Sequence, residues 1–243
     1  MNHIARFEVG NFADGVHSVV GDCNGYTAQQ RFDLETPIFS KAINSHIEKD
    51  HKVILDYGCG VGRIAREILR INKTVNIIGL DASKDERRLA NEYVSSDRFK
   101  TIEPEELCES VDLIYCIYVI QHIPAIELRQ AIERMHFYLK PGGKLIYCSS
   151  DHRLAVSYGN KFIDDGILGV FPRIEINRLF ENKADLFNLS EQPKIIKDIV
   201  TADGLEKPKC IPHPAIVYQR RDIPDEIPYF NIKFPPLDFR GNK

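Results

Sequence analysis

The sequence predicts an α/β fold built on a mostly parallel sheet, and three observations carry that expectation. From residue 52 to about 149, short apolar runs alternate with amphipathic segments of helical period, which is the pattern of βαβ units. A glycine-rich turn joins the first apolar run to the first of these helices. The chain has 243 residues, 43% of them hydrophobic, which is enough for one sizeable core with an appendage but tight for two large domains.

Taken in order, the first thirty residues scatter Gly10, Gly15, Gly21 and Gly25 among polar residues and read as an irregular arm. A helix is expected after it, with Thr36 as N-cap and Pro37 at the first helical position, because Ile38, Phe39, Ala42, Ile43 and Ile47 then recur at helical spacing. The runs KVILDY, VNIIGLD, FKTI, VDLIYCIYV and KLIYCS follow as strands. Helices are expected between them around residues 63 to 71, 84 to 95 and 125 to 139. Lys140, Pro141, Gly142 and Gly143 stop the last of these, since proline cannot continue the hydrogen-bond ladder. Residues 150 to about 193 lack a clean period and read as an insertion over one end of the sheet. Two more strands are expected at Ile195 to Val200 and Ala215 to Arg220. The tail, 222 to 243, holds four prolines and suits an extended strap. The domain plan is thus an arm and helix over 1 to 50, a catalytic domain over 51 to 221, and the tail.

Composition narrows the function. Net charge is −3 and no long basic block occurs, so nothing points to a nucleic-acid partner. The apolar run Leu113 to Ile120 is far short of the roughly 18 residues needed to cross a bilayer, and the N-terminus has no signal-peptide core, so a cytoplasmic location without membrane attachment is expected. Six cysteines occur without a CxxC pair, which favours free thiols and no metal site.

The strongest local signal is VILDYGCGVGRIAREIL, in which a buried strand ends at Asp56, turns through Gly58, Gly60 and Gly62, and enters a helix. Glycine admits close approach of a ligand to the backbone, and free amides at a helix start favour electron-rich ligand atoms. Asp81 closes the second strand 23 residues after Gly58, where a carboxylate can accept both hydroxyls of a ribose. A dinucleotide fingerprint would place a third glycine where Arg63 stands, which makes a nicotinamide oxidoreductase improbable.

The turn resembles the DxGxGxG motif of class I S-adenosylmethionine-dependent methyltransferases, small-molecule type. VDLIYCIYVIQHI resembles that family's fourth strand and following loop, and YLKPGGKLIYCSS its fifth strand. The resemblance covers residues 52 to about 149 and implies a Rossmann-like methyltransferase fold. That fold has a mostly parallel seven-stranded sheet with helices on both faces, plus an N-terminal arm and an insertion after the fifth strand. It also implies S-adenosylmethionine as cofactor. Gly58, Cys59, Gly60 and Gly62 would line its methionine moiety, Asp56 would reach the amino group, and Asp81 would hold the ribose. Ala82 and Ser83 would flank the adenine, and Cys116 would offer its backbone to the methionine end. The match departs at the third strand, where Ile102 and Glu103 stand in place of an acidic residue followed by a small one.

Methyl transfer from a sulfonium needs alignment, exclusion of water and, for a protonated acceptor, a base. His122, just after the fourth strand, resembles the family position facing the methyl group and is the candidate base; the alternative is that it only braces the loop. The acceptor pocket is expected over the C-terminal ends of the strands, with Tyr26, Arg31, His152, Arg153 and His213 as candidates, and Tyr158, Tyr218 and Arg220 beside them. Convergent His and Arg side chains would suit an acceptor bearing a carboxylate or phosphate. The expected activity is O-methylation of a small, polar, possibly anionic molecule by a monomer or homodimer. The alternatives are N- or C-methylation, or a catalytically silent cofactor-binding scaffold.

Overall fold

The computed structural model describes residues 7–22, 25–104, 106, 110–123 and 125–148, and the backbone of two further strands at 187–191 and 216–220. The elements are α1 (Phe12–Val20), α2 (Ala28–Asn44), β1 (Val53–Tyr57), α3 (Arg63–Ile71), β2 (Asn76–Leu80), α4 (Lys84–Val94), β3 (Phe99–Ile102), β4 (Val111–Ile117), α5 (Ala125–Tyr138), β5 (Leu139–Cys148), β6 (Phe187–Glu191) and β7 (Ile216–Arg220). They form one seven-stranded sheet in the order β3-β2-β1-β4-β5-β7-β6. The first five strands pair in parallel, and β7 runs antiparallel to both β5 and β6. The expected mostly parallel sheet is therefore present.

Strand alternation divides the core into two layers. Leu55, Tyr57, Ile114 and Cys116 pack with Leu128, Ile132 and Met135 of α5 on one face. Ile54, Leu113, Tyr115 and Cys148 pack with Ile64 and Ile68 of α3 and with Phe39 and Ile43 of α2 on the other. A third cluster joins Val16 of α1, Ala28 and Phe32 of α2 and Leu89 of α4 around Val61, in the turn between β1 and α3. The arm thus folds down onto the glycine turn.

Two expectations need correction. The arm is not irregular, for Asn11 caps α1 by accepting from the Asp14 N–H at 3.0 Å. Gly15 inside that helix is a packing device, since a β-carbon there would lie 2.5 Å from Val61. Thr36 and Pro37 do not open the second helix. It starts with Thr27 in a capping box with Gln30, and Pro37 lies inside it. The proline removes one backbone donor, and beside it the Thr36 hydroxyl donates to the Phe32 carbonyl at 2.5 Å. The sixth strand runs over Phe187–Glu191, whose apolar residues alternate with polar ones; the strand expected at 195 to 200 falls outside the described residues.

Candidate functional site

The strand order reverses between β1 and β4, where open α/β sheets place their ligands beyond the carboxyl ends of the strands. The glycine turn, Asp56, Asp81 and His122 lie at the carboxyl ends of β1, β2 and β4 on this side of the sheet. The Gly58 N–H donates to the Leu80 carbonyl at 2.7 Å, and the Cys59 N–H to the same oxygen at 3.1 Å, so the tips of β1 and β2 are tied together. Gly58 has φ 77° and Gly60 φ 51°, backbone that β-carbons disfavour. Their Cα faces are also filled, because a β-carbon on Gly58 would strike the Val119 side chain and one on Gly60 would lie 2.7 Å from Val19 of α1. The glycines are therefore needed by the packing of the arm and of the loop after β4, a constraint separate from room for a ligand.

Two carboxylates flank the turn in different states. Asp81 is half-buried and doubly held: Gly60 N–H donates to Oδ2 and Ser83 N–H to Oδ1, each at 2.9 Å. Burial pushes its carboxyl above the ordinary range, and these N–H donors oppose the rise. Asp56 is 3% exposed, and its Oδ2 has no hydrogen-bond partner among the described residues. Burial pushes Asp56 up to about 8, with the Asp81 charge adding to the rise and the Tyr115 hydroxyl and Arg63 guanidinium opposing it. A buried carboxylate oxygen without a donor suits a cationic ligand group, so the site fits the ammonium of a methionine moiety.

On the far side of the turn, Ser83 caps α4 by accepting from the Glu86 N–H at 3.2 Å, while its hydroxyl donates to the Phe7 carbonyl. Phe7 also sets its ring edge-on to His122, 5.3 Å between centroids. His122 ends a single 3₁₀ turn, Ile120–His122, and its N–H donates to the Val119 carbonyl at 2.8 Å. One arm residue thus touches both the Ser83 side and the His122 side. Cys59 and Cys116 are buried thiols pushed well up by that burial. Glu103 after β3 is engaged by Arg87, whose other nitrogen donates to the Asp81 and Ala82 carbonyls at 2.7 and 3.2 Å.

The acceptor candidates are placed unevenly. Tyr26 is half-buried just before α2. Arg31 is committed within the arm, donating to Glu35 and to the Val20 and Gly21 carbonyls. His152, Arg153, Tyr158 and His213 lie outside the described residues, and of Tyr218 and Arg220 only the backbone is described. Sequence reasoning did not single out Glu35 or Tyr118, and used Arg63 only as an argument against a dinucleotide. Glu35 and Arg63 are buried, and Tyr118 adopts φ 59° directly after β4. A bulky residue there is a genuine outlier, and no local sequence signal announces it.

The methyltransferase domain family model matches residues 34–191, well over half of the sequence. The chain belongs to that family. This is the class that the turn resembles, and S-adenosylmethionine is its cofactor. Among curated relatives, the ubiquinone biosynthesis O-methyltransferase of Rickettsia akari is 30% identical over 137 residues, covering 54% of this chain and 52% of that protein. The chain spans about half the length of the first curated relatives it matches. Among solved structures, the methyltransferase in complex with the Haloferax volcanii Trm112 methyltransferase activator superimposes with a TM-score of 0.63 at 18% identity, over 79% of this chain and 93% of the other. The plantazolicin methyltransferase BamL, solved with a triazolic desmethylPZN analog and SAH, gives 0.61 at 11% identity, over 79% and 85%. At such identities the superpositions establish the Rossmann-like methyltransferase fold. No helix among the described residues is long and apolar enough to cross a membrane.

Proposed function

We propose that this protein moves a methyl group from S-adenosylmethionine to an oxygen of a small, polar acceptor, with His122 as the base. The observation that carries the reading is the shared location of a buried carboxylate, Asp56, whose Oδ2 has no hydrogen-bond partner among the described residues, a second carboxylate at the neighbouring strand tip, and an imidazole on the turn after β4. Similarity to an O-methyltransferase relative favours oxygen over nitrogen or carbon.

When bound, the cofactor supplies a methyl group already activated by its sulfonium. Asp56 accepts from the methionine amino group, and Asp81 takes the ribose hydroxyls with the lone pairs not used by Gly60 and Ser83. Ala82 and Ser83 would flank the adenine, and the turn through Gly58, Cys59, Gly60 and Gly62 and the Cys116 backbone would line the methionine end. The arm, seated over the turn through Val19 and Phe7, excludes water from the line of transfer. His122 would take the proton of the acceptor hydroxyl, and the bound cofactor would supply the methyl group. Tyr26 borders the acceptor, and His152, Arg153 and His213 supply the cationic character for an anionic one.

Two assays test the reading. S-adenosylhomocysteine should bind the folded protein in a calorimeter, and a panel of hydroxylated acceptors should consume S-adenosylmethionine. Matched anionic and neutral acceptors turned over at equal rates would remove the anionic assignment, and binding with no turnover on any acceptor would favour a silent scaffold.

A further inference from the structure

The pairing of β2 with β3 stops at Leu80 and Ile102, the last residue of each strand, so the backbone beyond needs other partners. Arg87, in the first turn of α4, reaches across that gap. One guanidinium nitrogen donates to the Asp81 and Ala82 carbonyls at 2.7 and 3.2 Å, and another donates to the Glu103 carboxylate at 2.7 Å. The Arg87 side chain is 11% exposed and that of Glu103 57%, so the carbonyls anchor the guanidinium and the carboxylate is held at the rim. Asp81 is thereby fixed from two sides, its carboxylate by the Gly60 and Ser83 N–H groups and its carbonyl by Arg87. One turn further along α4, Asn91 makes a second tie to β3, donating to the Thr101 hydroxyl at 2.6 Å and accepting from the Thr101 N–H at 3.2 Å. That tie lies within the strand, short of its tip.

We propose that Arg87 is a positioning residue for the nucleoside end of the cofactor: by holding the backbone beyond β2 and the tip of β3 together, it sets the gap in which the nucleoside lies. This rests on the reading that Asp81 takes the ribose hydroxyls and that Ala82 and Ser83 flank the adenine. A guanidinium suits the task because its donors form a rigid fork that meets partners in different directions. An ammonium is a point donor on a flexible stem and cannot hold the two carbonyls and Glu103 at once. In this arrangement Glu103 serves the clasp and not the base.

The test is calorimetry of the full chain with S-adenosylhomocysteine and with 5′-methylthioadenosine, which carries the nucleoside without the amino acid. Arg87→Met should weaken both by the same factor, about tenfold, and Arg87→Lys should fall nearly as far. Glu103→Gln should weaken both about twofold to fivefold, and the double variant should lose no more than Arg87→Met alone. Asn91→Ala separates this role from a merely structural one, because it loosens α4 on β3 without touching the tips. It should lower the thermal unfolding midpoint and leave both affinities within about twofold of the parent. Should Arg87→Met not fold, Arg87→Lys decides by the same measure. Asp81→Asn reports on the underlying reading: if it weakens neither ligand, the nucleoside lies elsewhere and the proposal falls with that reading. If Asp81→Asn does weaken them, four results overturn the proposal alone: Arg87 variants with parental affinity, a loss confined to S-adenosylhomocysteine, an equal loss in Asn91→Ala, or a larger loss in Glu103→Gln than in Arg87→Met.

Discussion

The floor and the roof of the site are built from different kinds of contact. The floor is local: within residues 53 to 87 a strand, a turn, a helix and a second strand tip present Asp56, the glycines and Asp81, linked by backbone bonds such as Gly58 N–H to Leu80 C=O. The roof is assembled at long range, from Phe7 on Ser83 and His122, Val19 over Gly60, and Glu35 on Arg63. Damage to the floor should therefore remove cofactor binding, whereas damage to the roof should spare binding and reduce turnover.

The largest expected effect is on the floor. Gly58→Ala forces a β-carbon into Val119 and into a left-handed backbone, and a hundredfold or greater loss of S-adenosylhomocysteine affinity should follow, on the order of 3 kcal/mol. Calorimetry checks it. An affinity within about threefold of the parent would show that the turn tolerates rearrangement, and the floor would lose its claim to rigidity.

Next comes the roof. His122→Ala should cut turnover by about a hundredfold if the imidazole takes the acceptor proton, while leaving S-adenosylhomocysteine affinity within about threefold. A normal rate with normal binding would reduce His122 to a brace for Phe7. Loss of binding as well would instead merge roof and floor into one unit.

The same contrast explains what could be read in advance. α3 and α4 fall where the helical period put them, and the five parallel strands follow the five apolar runs, because period and capping are written within a few neighbouring residues. Ser83 as cap of α4 is such a case. The positions of Asp56, Asp81 and His122 were legible because Asp56 lies at the end of β1, Asp81 directly follows β2 and His122 comes shortly after β4. The start of α2 was misread because Pro37 is a strong helix-start signal that tertiary packing overrode; Phe32 and Phe39, on either side of it, both face Arg63. Glu35 and Arg63 were invisible for a similar reason. A charged residue reads as solvated unless its buried partner, here 28 positions away, is known.

A smaller effect is expected on stability, with a sign that only the structure supplies. Burial raises folded Asp56 from the ordinary carboxylate range to about 8, so the native state holds that proton more tightly than the unfolded chain does. Its contribution to stability is present below about pH 4 and is lost progressively as pH rises towards 8. Asp56→Asn removes this loss. It should raise the unfolding midpoint by on the order of 5 °C at pH 8, and by little at pH 4, while weakening S-adenosylhomocysteine by about tenfold to a hundredfold through the missing charge-assisted bond. Thermal unfolding across that pH range measures the first, and calorimetry the second.

The smallest effect should come from Phe7→Ala, which removes one edge-on ring contact worth about 1 kcal/mol. The Phe7 carbonyl would still accept from Ser83, so the arm stays tethered to the floor while His122 loses its ring neighbour. Turnover should fall about threefold to tenfold, with cofactor affinity nearly unchanged. If affinity falls instead and turnover per bound cofactor holds, the arm acts as part of the floor, and the division between the two regions belongs at α2, where Glu35 meets Arg63.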